Sequence, residues 1–162
     1  MADNKLLFLL SAFLNEKLCI ENDGEKAVIF NPFGGENIEV YYDEDNFSHF
    51  LAIFSFQHRH LDDEGEVIDW SGKITSGKIF AIEFFKNGRN CFGGEISSEE
   101  LEHLSYQQLE RRTGYYGAAK LYEVADSFKV RGWNKEKDFD GVFVLQENGT
   151  VQLEINQPGE GK

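Results

Sequence analysis

At 162 residues the chain has the length of one ordinary domain, and its 14% aromatic content, with 15 Phe, supplies enough apolar area for a core without disulfide staples. The net charge of −13 excludes a nucleic-acid or anionic-membrane binder as a first expectation and favours a basic partner. Cys19 and Cys91 make no disulfide framework, no apolar run approaches the ~18 residues of a membrane span, and Leu6 to Leu10 is too short for a secretory signal, so a cytoplasmic protein with reduced thiols is expected.

Lys5 to Leu18 sets Leu6, Leu7, Leu10, Phe13, Leu14 and Leu18 near the i, i+3, i+4, i+7 spacing of an amphipathic helix, with Asp3 or Asn4 as its cap. Glu21-Asn22-Asp23-Gly24 and Asn31-Pro32-Phe33-Gly34-Gly35 are turn chemistry, so Ala27 to Phe30 and Asn37 to Tyr42 are predicted to pair as a hairpin. Asp43 to Asn46 breaks that pattern. In Phe47 to His60, the alternation of Phe54, Phe56 and His58 with Ser55, Gln57 and Arg59 favours one long strand over a helix. Leu61-Asp62-Asp63 then supplies the cap of a helix from Glu64 to Ile74, whose early acids suit its positive end, although Gly72 is a poor helix former.

Asn87-Gly88, flanked by runs rich in Phe and Ile, is the strongest hairpin signal in the chain, because both positions of a two-residue loop need φ > 0. Such a loop sets Phe84 opposite Cys91, Ile82 opposite Gly93 and Ile79 opposite Ile96. Both faces are then apolar, as inside a sheet, with Cys91 a buried, inert thiol. Gly93-Gly94 marks a bulge or a close backbone approach. Ser97 and Glu100 spell a capping box for a helix to about Arg112, with Leu101, Leu104 and Leu109 inside and Gly114 to Gly117 at its end. Ser127 to Trp133 alternates as a strand, and Asn134 to Asp140 reads as a charged loop. A second two-residue loop at Asn148-Gly149 predicts Val142, Val144, Val151, Leu153 and Ile155 on one buried face. Residues 1–156 then form a single domain and 157–162 a frayed tail. Strands that arrive as hairpins, with helices grouped between them, give an α+β class: a mostly antiparallel sheet of hairpins packed against two or three helices.

Three patterns bear on chemistry. Gly72 to Lys78 spells G-x-x-x-x-G-K, but Ile79 stands where a phosphate-binding loop needs Ser or Thr for magnesium, and the segment leaves a helix instead of opening one, so it reads as plain loop. His58 and His60 lie two apart, on one face of a strand, just before Asp62, Asp63 and Glu64. They are the candidate metal ligands, and a hydrolytic zinc would need a third from His49 or His103. The plainer reading is a strand-end pair hydrogen-bonded to nearby acids. No nucleophile elbow occurs, and no cofactor is implied.

The third pattern is charge combined with aromatics. Residues 1–70 hold 15 of the 29 acids and 4 of the 16 Lys and Arg, a balance of −11, against −2 for residues 71–162. Within the first stretch, Tyr41, Tyr42, Asp43, Glu44 and Asp45, then Asp62, Asp63, Glu64 and Glu66 with Trp70, join carboxylates to side chains that anchor interfaces. The expectation is a small acidic binding protein that neutralises a basic protein partner, such as a nuclease-like toxin, in the manner of an immunity protein or antitoxin. A metal-dependent hydrolase centred on His58 and His60 is the alternative, and acidity that serves only solubility is the plainest account.

Overall fold

The computed structural model describes residues 4–21, 24–43, 48–112 and 120–156. In chain order these form α1 (Phe8–Ala12), β1 (Leu18–Glu21), β2 (Lys26–Ile29), β3 (Ile38–Tyr42), β4 (Phe50–Phe54), β5 (Gln57–Leu61), α2 (Glu64–Thr75), β6 (Ile79–Lys86), β7 (Arg89–Ser97), α3 (Ser98–Glu102), α4 (Tyr106–Arg112), α5 (Leu121–Val124), β8 (Ser127–Arg131), β9 (Phe139–Leu145) and β10 (Val151–Asn156). The class is α+β and the strand pairs are antiparallel, but the hairpins build two open sheets of five strands, ordered β1-β2-β3-β4-β5 and β10-β9-β8-β6-β7. The chain divides into two compact units, Met1–Lys78 with Trp133–Lys135, and Ile79–Gly132 with Glu136–Lys162. Each holds one sheet. The tail expected over 157–162 and the helix end expected at Gly114 to Gly117 lie outside the described residues.

In the first unit the β2–β3 hairpin forms as its alternation predicts, pairing Lys26 with Tyr41 and Ile29 with Ile38. The helix expected from Lys5 to Leu18 is cut to five residues. Asn4 Oδ1 accepts from the Leu6 amide at 3.1 Å to start the turn before α1, and the chain leaves helical geometry at Phe13 (φ −118°, ψ 56°). Leu18 to Glu21 is thereby released to pair with β2 across a turn that uses Gly24 at φ 94°. Leu6, Leu9 and Phe13 point into the core, whereas Leu7, Leu10 and Leu14 of the expected stripe are exposed, Leu14 by 81%.

The single strand expected through His60 is instead the β4–β5 hairpin, turning at Ser55-Phe56 with Ser55 at φ 56°. Neither is the Gly, Asn or Asp that a two-residue hairpin loop favours, so no loop signal announced the reversal. The helix from Glu64 is present and runs one residue longer than expected. Asp63 caps it by accepting from the Glu66 amide at 2.9 Å, and Glu66 reaches back to the Asp62 amide at 2.8 Å. Its end is a Schellman turn. The Gly77 amide donates to Ile74 O, the Lys78 amide to Lys73 O, and Gly77 takes φ 72°. The amides of the G-x-x-x-x-G-K stretch that a phosphate would need are therefore engaged with helix carbonyls.

In the second unit Asn87 (φ 50°) and Gly88 (φ 75°) make the expected two-residue loop, but the ladder shifts between Phe84 and Phe85 and leaves Cys91 as an extra residue. Beyond the shift Phe84 faces Phe92, Ile82 faces Gly94 and Phe80 faces Ile96, one residue off the predicted pairs. Phe92 consequently stacks on Phe84 at 4.6 Å between ring centroids, and Cys91 is exposed, which overturns the buried-thiol expectation. β6 is interior, with β7 and β8 on either side, while β7 lies at the rim. Gly93 does mark a close approach, since a Cβ there would come within 2.9 Å of Ile82 O.

The Ser97–Glu100 capping box is present in full. The helix it starts stops at Glu102, and Ser105 opens α4 by accepting from the Gln108 amide at 3.2 Å. At the last hairpin the Gln146 amide donates to Thr150 O and Gly149 takes φ 82°, a three-residue loop ending in a glycine bulge. Leu145 therefore pairs with Val151 and Phe143 with Leu153, so Val142 and Val144 fall on the face opposite Val151, Leu153 and Ile155. One residue in the loop turned every side chain of that strand over.

Candidate partner-binding surface and histidine pair

Residues directly opposite one another in an antiparallel sheet share a face. In the first sheet this puts Glu21, Lys26, Tyr41, Leu51 and His60 in one row, and Cys19, Val28, Glu39, Ile53 and His58 in the next. The other face carries Ile29, Ile38, Phe50, Ala52, Phe54 and Leu61. Phe8 of α1 meets it edge-on at Phe50, and Trp133 packs at a tilt against Phe54. The polar rows hold a compact ion network. Lys26 Nζ lies 3.1 Å from Glu39 and 3.7 Å from Glu21, and 5.5 Å above the Tyr41 ring, while the Tyr41 hydroxyl donates to Glu39 Oε2 at 2.6 Å.

That geometry shifts three protonation equilibria. The Tyr41 hydrogen bond, then Lys26, holds the Glu39 carboxyl below its ordinary range; the bond to Glu39 raises the Lys26 ammonium and, with burial, the Tyr41 phenol. Tyr41 is thus tied into the sheet by neighbours from two strands. Neither Lys26 nor Glu39 stood out in the sequence; the pattern that could have found them is the cross-strand pairing of a Lys and a Glu with a Tyr.

The other expected partner-binding residues are placed as follows. Tyr42 turns to the core-side face, where its ring meets Phe50 edge-on at 5.6 Å under the Lys5 ammonium. The Asp43 amide donates to His49 O, and Glu44 and Asp45 lie outside the described residues. Asp62, Asp63, Glu64 and Glu66 are all exposed around the first turn of α2, joined by Asp69, which pairs with Lys73 at 2.6 Å. Trp70 is 4% exposed, on the inner side of α2 with Val67 and Ile74, so it cannot serve as the interfacial anchor expected of it. Its helical offset from Val67 and Ile74, three before and four after, already fitted an inward stripe. The apolar side chain that does reach solvent on this helix is Ile68, four residues after Glu64 and beside Asp69.

His58 and His60 project from the same face of β5, the last strand in the order of its sheet, with ring centroids 5.5 Å apart and edge to face. Both are exposed, and His60 Nδ1 lies 3.1 Å from Ser48 Oγ. Their expected neighbours, Asp62 and Asp63, are engaged at the start of α2. Among the described residues no three of His, Cys, Asp and Glu gather into a group able to hold a metal ion, so the third ligand that a hydrolytic zinc requires is not supplied by them.

The fold also redraws the charge boundary. Lys73, Lys78 and Lys135 belong to the first unit, which carries 15 Asp and Glu against 7 Lys and Arg, a balance of −8; the second carries 14 against 9, a balance of −5. The first unit remains the more acidic, by less than the split at residue 70 implied. In the second unit Glu83 is a buried carboxylate inside the apolar run of β6. It accepts from Asn90 Nδ2 at 3.4 Å and sits opposite Gly93 and Lys129. Elsewhere in this unit a recess of about 280 Å³ opens between Leu101, Leu104, Phe139 and Ile155, with Glu136, Lys137 and Asp138 also lining it. It is smaller than the roughly 300–1,000 Å³ typical of small-molecule pockets.

Among the described residues no helix is long and apolar enough to cross a membrane. No protein-family model, curated protein or solved structure matches the chain.

Proposed function

We propose that this protein is a small acidic cytoplasmic binding protein that captures a basic protein partner, in the manner of an immunity protein or antitoxin. The observation that carries this reading is the run of four exposed carboxylates, Asp62, Asp63, Glu64 and Glu66, on a capped helix start in the more acidic unit. Hydrogen bonds from the Asp62 and Glu66 amides hold two of these side chains in place, so they present their charge with little ordering cost on binding. Negative side chains at a helix start also interact favourably with its positive end. The mechanism is electrostatic steering of Lys and Arg onto this run, followed by exclusion of water around Ile68.

The test is a pull-down on immobilised protein at about 0.01 M salt, where the Debye length is ~30 Å, and at about 1 M, where it is ~3 Å. The captured partner is identified and the binding then rebuilt from purified components. A basic partner, lost at high salt and weakened by Asp62→Lys with Glu64→Lys, supports the reading. A partner held equally at both salts, or indifferent to the two reversals, rejects it.

A further inference from the structure

The histidine pair has a feature that edge packing alone does not require. Ser48 is 5% exposed, and its hydroxyl donates to Phe50 O at 3.5 Å. Ser48 Oγ also meets His60 Nδ1 at 3.1 Å, and in the tautomer with its hydrogen on Nδ1 the ring donates to that oxygen. The lone pair of the neutral ring is then on Nε2. A hydrogen bond from the distal ring nitrogen to a fixed oxygen is the outer-shell support that orients metal-binding histidines and raises their basicity.

The spacing can be checked against what a metal ion requires. A zinc–nitrogen bond of about 2.1 Å puts each ring centroid about 3.2 Å from the ion, and two imidazoles at a tetrahedral angle are then about 5.2 Å apart, centroid to centroid. The observed separation is 5.5 Å. The His58 ring is exposed, and its last torsion is of the broad, two-fold kind, so it can turn from its edge-on pose to aim a nitrogen at the same point. Arg59 alternates to the opposite face, which removes the nearest cation in sequence from the site, and Leu51 and Ile53 lie beside the pair on β4.

We propose that His58 and His60 form a two-imidazole site for one zinc-type dication on the edge strand β5, with His60 binding through Nε2 and Ser48 holding its ring. Two protein ligands leave the remaining positions to water, so this is a binding site and not the hydrolytic centre, which would need a third. It uses no side chain of the acidic run, and either can fail without the other.

The experiment titrates the whole protein with zinc chloride and with nickel chloride, separately, in a non-chelating buffer, by calorimetry and by NMR of the imidazole protons. The expected result is one saturable equivalent that shifts the rings of His58 and His60 and leaves those of His49 and His103 in place. His58→Ala or His60→Ala lowers affinity by more than the roughly 10- to 100-fold that loss of an outer-shell partner costs, and Ser48→Ala falls within that range. Absence of saturable binding overturns the proposal, as does binding that survives in the double variant His58→Ala/His60→Ala. Unchanged affinity in a folded Ser48→Ala overturns the role given to the Ser48 contact.

Discussion

Gly141 offers the sharpest test of the second sheet. It sits on β9 directly across from Phe128 on β8, and an added Cβ would fall inside the van der Waals envelope of Phe128 Cε1 and Cζ, with Cδ1 at 3.1 Å. The ring has no room to retreat. It is fully buried, stacked on Phe143 at 5.5 Å and bounded by Phe139 at 6.2 Å and Phe84 at 6.3 Å. Gly141→Ala should therefore destabilise by about 3 kcal/mol, the upper part of the overpacking range. At roughly 2–4 °C per kcal/mol for a chain of this size, that is a fall of about 6–12 °C in the Tm of the unit, read by calorimetry. Local propensity predicts the opposite sign, because Gly→Ala at a compatible strand position stabilises by ~0.4–1 kcal/mol. Phe128→Leu shortens the obstructing ring, so Gly141→Ala should cost less on that background, with a coupling of at least about 1 kcal/mol. A Tm that stays level or rises in Gly141→Ala would refute the β8–β9 register and the packing built on it.

Three further outcomes follow from other contacts. The Tyr106 hydroxyl is pushed up to about 12, mainly by burial, while it donates to Glu110 and accepts from the Tyr122 amide; ultraviolet titration should show one phenol ionising near that value. Because this pKa lies above the ordinary value near 10, its contribution to stability is intact below pH ~10 and lost as pH rises through about 12, and Tyr106→Phe should cost about 1–3 kcal/mol by leaving the Tyr122 amide without its acceptor. Glu39 is held low, so its contribution is present above its unfolded value near 4.3 and lost as pH falls through its folded one. Tyr41→Phe should move the Glu39 carboxyl back toward the ordinary range in a carbon-detected NMR titration, and no movement would mean Lys26 alone sets it. Cys19 and Cys91 should both react with a thiol reagent in the native protein, whereas the bulge-free register would protect Cys91.

What could be read ahead of the structure was mainly local. Asn87-Gly88, the Ser97–Glu100 box and the Asp63 cap are decided by neighbours within three or four residues, and all three formed. Where a single residue set the register, pattern alone misled. The bulge at Cys91 and the third loop residue at Glu147 each shifted a strand by one, which exchanges its faces. The β4–β5 reversal passes through Ser55 and Phe56, neither of them the Gly, Asn or Asp that marks a two-residue loop, and β1 fell between a run read as helix up to Leu18 and a turn read from Glu21. For the candidate surface, period-two spacing correctly put His58 and His60 together, and the acids around Asp63 were legible as a helix start. The Ser48 contact and the Lys26–Glu39–Tyr41 network were not, since both join residues brought together only by strand pairing.

The claim on which the functional account depends is that the carboxylates at the start of α2 attract a cationic protein. Its most direct measurement is the affinity of the purified partner across a salt series, for the natural protein and for the Asp62→Lys/Glu64→Lys variant. The account predicts a steep loss of affinity with salt in the first and a flattened, weaker dependence in the second. Equal salt slopes for the two proteins would contradict it.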